Sequence, residues 1–145
     1  MSADSSDSSA PVPGAIKAAY GLSVAGAVLA LLSALVALTD APQAEGAIVR
    51  VNLWAVGATN AASGLVVAAL APRLRRAGSR GIRARRGLAA ACAASVVVSV
   101  LGLIVQAVGV AVLLHVIAFA LGLLAMFRPA ATTFLRGSSR WGAGE

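Results

Sequence analysis

The order of apolar and polar positions divides the chain into four long apolar segments separated by three breaks. The first segment runs from about Ala15 to Leu38 and carries one charge, Lys17, at its start. As a helix rising about 1.5 Å per residue it would be about 36 Å long, enough to cross a hydrocarbon layer of about 30 Å with some tilt. Thr39 to Gly46 is a short polar connection in which Pro42 is the expected breaker. A second span follows from about Ala47 to Ala71, and Pro72 is predicted to end it. Beyond the arginine-rich stretch 72–86, the sequence is again apolar from Gly87 to Phe127. One helix of that length would measure about 62 Å, twice the hydrocarbon thickness, so the segment has to fold back on itself. The break is expected at Gln106–Gly109, with Gly109 supplying the turn. That yields spans at about 88–106 and 110–127; the competing reading is a re-entrant hairpin. The predicted fold class is therefore all-α, an integral membrane bundle of four transmembrane helices.

Outside these spans, residues 1–14 are mostly Ser, Asp, Ala, Pro and Gly and read as a disordered tail. They do not form the basic start of a signal peptide. The C-terminal segment 128–145 is basic and carries Phe134 and Trp141. It suits either a stretch resting on the membrane surface or a frayed terminus.

Composition agrees with the pattern. The chain is 59% hydrophobic and 12% charged, with mean hydropathy +0.89; a soluble domain carries about 25% charged residues. A water-soluble fold of 145 residues could not hide this much apolar surface. The one cysteine, Cys92, cannot pair within the chain.

Charge then orients the chain. Arg73, Arg75, Arg76, Arg80, Arg83, Arg85 and Arg86 fall between the second and third spans, and Lys17, Arg128, Arg136 and Arg140 share their predicted side. Arg50 alone falls on the other side, with Asp40 and Glu45 as expected partners. Lys and Arg are retained on the cytoplasmic side of a membrane, so both termini are expected inside a plasma membrane. The net charge of +7 is read as orientation plus attraction to anionic lipid, with the seven arginines as candidate headgroup contacts. Gly78 and Gly81 are expected to keep this loop irregular. A nucleic-acid role lacks an aromatic platform or a fold motif.

Candidate chemistry is confined to neutral polar positions. Neither Asp nor Glu lies in the centre of any span, which argues against a carrier driven by a titratable carboxylate. It also separates the chain from the small multidrug resistance transporters, which have a similar size and place an essential glutamate in the first span. Asn52, Asn60, Gln106 and His115 are the candidate lining of a polar cavity, and Ser95, Ser99, Gly102 and Gln106 form a polar and small stripe along the third span. The competing reading is that these groups only bind helix to helix, with hydrogen bonds of about 0.6 kcal/mol each. No nucleophile–base pair, cofactor motif or metal-ligand cluster is legible, so no enzyme and no cofactor are expected.

In span layout, Ala/Val/Gly/Arg bias and Ser/Pro/Asp tail, the chain resembles small uncharacterised four-span membrane proteins of high-GC Gram-positive bacteria. The resemblance implies a plasma-membrane location and assigns no functional residue. The favoured function is a structural or accessory membrane protein acting through helix–helix contacts, with a second copy or another membrane protein as partner. The alternative is a small-solute transporter or channel using the polar faces of spans two and three.

Overall fold

The computed structural model describes residues 12–76, 78–104 and 110–136. They form helices α1 (Gly14–Asp40), α2 (Ala47–Leu70), α3 (Ser79–Ile104), α4 (Val110–Met126) and α5 (Pro129–Arg136). In the long helices α1 packs against α2 and α4, and α3 packs against α2 and α4, so the four close into an up-and-down bundle with α1 and α3 on one diagonal. The expected fold-back at Gln106–Gly109 lies outside the described residues.

Small residues make the helix seams. The buried face of α1 is Ile16, Ala19, Ser23, Gly26, Ala27, Ala30, Ser33, Ala34 and Ala37. That of α3 is Gly81, Ala84, Leu88, Cys92, Ser95, Ser99 and Gly102, the periodicity expected of a face packed on neighbouring helices. Many large aliphatic side chains point outward instead: Leu35, Leu65, Ile104 and Leu124 are 61%, 63%, 74% and 69% exposed. Water would penalise such a surface, whereas helices in lipid associate through small residues that let backbones approach. α1 and α2, each with its following 3₁₀ turn, and α3 are long and apolar enough to cross a membrane. α4 meets that description only together with α5, from which it is bent by 62°.

Both prolines expected to break helices act more mildly. Pro42 and Pro72 sit at the start of 3₁₀ turns, Ala41–Gln43 and Ala71–Arg75, that prolong α1 and α2. A proline lacks only an N–H that a new helical turn leaves unbonded anyway. The chain reverses at glycines with positive φ, Gly46 (92°) and Gly78 (86°), where other residues would be strained.

The segment 72–86 is not an irregular loop. The 3₁₀ turn after α2 ends at Arg75 and α3 begins at Ser79, so Arg80, Arg83, Arg85 and Arg86 are helical. Gly81 belongs to the first turn of α3, where a Cβ would collide with the Arg76 carbonyl and come within 2.8 Å of a Leu135 methyl. Its lack of a side chain lets the turn close rather than unwinding the helix. α5 seals this end: Gly78 N–H donates to Leu135 O at 3.1 Å, and Ala131 and Leu135 are buried with Ile16.

Candidate functional site

Two groups of residues stand out: a polar cluster inside the bundle and a cationic cap at one end. The cluster is built by three helices. Asn60 lies on the buried face of α2, Ser95 and Ser99 one turn apart on that of α3, and His115 on α4. All four side chains are fully buried. Ser95 Oγ donates to Asn60 Oδ1 at 2.7 Å, and Ser99 Oγ donates to the same oxygen at 3.3 Å. His115 Nε2 lies 3.3 Å from Ser95 Oγ and 3.2 Å from Ser99 Oγ. Its ring meets Phe119 edge-on at 5.7 Å between centroids.

The proton arithmetic of this ring of atoms is flexible. Each serine has one proton to give. If Nε2 is bare, Ser95 can donate to Asn60 and Ser99 to the imidazole. If Nε2 carries hydrogen, it donates to a serine oxygen and both hydroxyls turn to Asn60. Both states of Nε2 are accommodated by this ring of atoms without moving a heavy atom. Asn60 Nδ2 has no hydrogen-bond partner among the described residues, nor do the buried hydroxyls of Ser23 and Ser33 on α1.

Of the four positions expected to line a polar cavity, Asn60 and His115 meet, through Ser95 and Ser99. The spacing of those serines was the sequence signal for this; what it could not supply was the partner helix. Asn52 is two turns from Asn60 on α2, half-buried, and its Nδ2 is unpartnered. Gln106 lies outside the described residues. Among the described residues, no group of three or more His, Cys, Asp or Glu could hold a metal.

Glycines close the seams around the cluster. A Cβ on Gly57 would lie 2.7 Å from Leu38 Cγ, one on Gly64 2.9 Å from Leu31 Cγ, and one on Gly122 3.5 Å from Ser23 Oγ. Gly57 and Gly64 admit a leucine side chain of α1 into the space a methyl would fill, whereas a methyl at Gly122 would make ordinary van der Waals contact.

At the end formed by the start of α1, the α2–α3 turn and α5, the cationic residues gather: Lys17, the arginines from Arg73 to Arg86, Arg128 and Arg136. Two of them are held by the protein. The Arg75 guanidinium lies 5.8 Å from the centroid of Tyr20, and that of Arg85 lies 5.1 Å from the centroid of Phe127 while its Nη1 donates to Thr132 Oγ1 at 3.1 Å. Tyr20, Phe127 and Thr132 were not legible as arginine partners in the sequence, being 42 to 55 residues away. Arg73, Arg76, Arg80 and Arg83 instead line a cleft of about 410 Å³ with Leu70 and Ala84. Asp40, Glu45 and Arg50 lie at the opposite end, exposed, and Arg50 forms no ion pair with either acid.

No family model, curated protein or solved structure matches this chain.

Proposed function

We propose that this chain is a multi-pass plasma-membrane protein of structural or accessory type, without catalytic activity, that acts through the outer faces of its helices. Its cationic end faces the cytoplasm and the anionic leaflet, and both termini lie on that side. The observation that carries the reading is the closed interior. Asn60 Oδ1, Ser95 Oγ, Ser99 Oγ and His115 Nε2 meet within hydrogen-bond distance of one another in complete burial, and glycine seams close the bundle around them. A solute pathway needs polar groups turned to water; here they bind helix to helix. The outward surface, rich in Leu, Ile and Val, is left to lipid and to other helices.

Two measurements test this. In a Cys92→Ala background, cysteines at Ser95 and Ser99 should resist a water-soluble thiol reagent in intact membranes. Photo-crosslinkers at Leu35, Leu65 and Leu124 should give a discrete protein adduct, either with a second copy or with one other membrane protein. Reaction of both cysteines would establish a water pathway and replace this reading by transport. Adducts with lipid alone at all three positions would remove the accessory role.

A further inference from the structure

The sequence treats the seven arginines of 72–86 alike; the fold sorts them. Arg75 and Arg85 are committed to Tyr20, Phe127 and Thr132. Arg73, Arg76, Arg80 and Arg83 come from the 3₁₀ turn after α2, the reversal and the first turns of α3, and they converge on one cleft of about 410 Å³. All four are exposed, and among the described residues none of their side chains makes a hydrogen bond, ion pair or ring contact. No acidic side chain lies at this end among the described residues. The orphan N–H groups of the first turn of α3 add further positive potential.

Four like charges on one cleft repel one another, and an unconstrained loop would spread them apart. Here the arrangement is held. Gly78 turns with positive φ, its N–H is bonded to Leu135 O, and Gly81 admits the Arg76 carbonyl against α3. Among the described residues nothing supplies the counter-charge, which leaves the cleft suited to an anionic ligand. A guanidinium pairs with a phosphate through two parallel hydrogen bonds, so four of them match two phosphates better than one. The volume falls within the usual range for a small-molecule site. Leu70 and Ala84 form its apolar side.

We propose that Arg73, Arg76, Arg80 and Arg83 form a binding site for a lipid headgroup carrying two phosphates, preorganised by the docking of α5 on the α2–α3 turn. The lipid source rests on the membrane reading above; the phosphate chemistry does not.

The test uses the full-length protein in nanodiscs of phosphatidylcholine doped with cardiolipin, which has two phosphates, or with phosphatidylglycerol, which has one, at matched total negative charge. Lipid retained on release is counted by native mass spectrometry. Wild type should retain cardiolipin about tenfold over phosphatidylglycerol, and Arg76→Gln/Arg80→Gln should abolish that preference. Arg73→Gln/Arg83→Gln supplies a second variant should the first fold poorly. Arg86→Gln/Arg136→Gln removes the same charge outside the cleft and should preserve it. Equal retention of the two lipids, or equal loss in the control variant, would overturn the site in favour of diffuse attraction. Pyrophosphate binding to the detergent-solubilised protein as tightly as cardiolipin would assign the site to a soluble diphosphate and overturn the lipid assignment. Release of the protein from membranes by alkaline carbonate would instead defeat the membrane reading, so the two failures are distinguishable.

Discussion

Phe119 occupies the space that a side chain on Gly26 would need: a Cβ built there would lie 2.6 Å from Cε1 of the phenyl ring. Phe119 is fully buried, and it also presents its ring to His115. One aromatic ring on α4 thus sets the α1–α4 approach and supports the polar cluster. Gly26→Ala should force that seam open and cost about 1–3 kcal/mol, read as a lower unfolding temperature in detergent. Gly21→Ala, on the same helix with nothing within 4 Å of its Cβ, should be nearly neutral. Phe119→Leu in the Gly26→Ala background should recover part of the loss, and strict additivity of the two changes would deny the contact.

Asn60 accepts from two hydroxyls on a neighbouring helix. Asn60→Leu should therefore cost roughly 1–2 kcal/mol, given that a hydrogen bond between membrane helices averages about 0.6 kcal/mol and reaches about 1.7. Asn52→Leu should be neutral or stabilising, since it removes a buried amide nitrogen that has no partner. Unfolding in mixed micelles, with Ser95→Ala closing a double-mutant cycle on Asn60, checks both. A larger loss at Asn52 than at Asn60 would contradict the cluster.

Gly78 has φ of 86°, and its N–H holds the last turn of α5. Gly78→Ala should cost about 1–2 kcal/mol through the left-handed conformation. Gly81→Ala should displace Leu135 and loosen α5 from the bundle. Hydrogen exchange over residues 130–136 should then accelerate at least tenfold while the middle of α3 stays protected. Unchanged exchange there would mean that α5 is not held by the turn.

The segregation of cationic residues to one end, with Asp40, Glu45 and Arg50 at the other, makes orientation testable. A reporter active only in the cytoplasm should work when fused at Glu145 and fail when inserted in the 41–46 connection. Activity at the latter site would reverse the proposed threading.

The sequence alone determined where the four long helices lie, because the number of consecutive apolar residues sets how far a helix can run before it must turn. Their observed ends differ from the expected ones near Pro42 and Pro72, where proline begins a 3₁₀ turn instead of stopping the chain, and at α3, which starts at Ser79 rather than near Leu88. The stripe containing Ser95 and Ser99 was likewise legible, since helical periodicity places them on one face. Which groups those serines would meet was decided by the tertiary structure: Asn60 and His115 are 35 and 20 residues from Ser95, and only the cyclic order of the bundle brings them together. The same holds for the arginines. Composition marks them as one charged run, and glycine spacing suggested an irregular loop. In the fold, the close approach at Gly81 lets α3 start early, and that start separates the arginines held by aromatic rings from those left facing a shared cleft. Local pattern encodes the extent of a helix because backbone hydrogen bonding and hydropathy are local. Partner choice depends on distances across the bundle that no single segment contains.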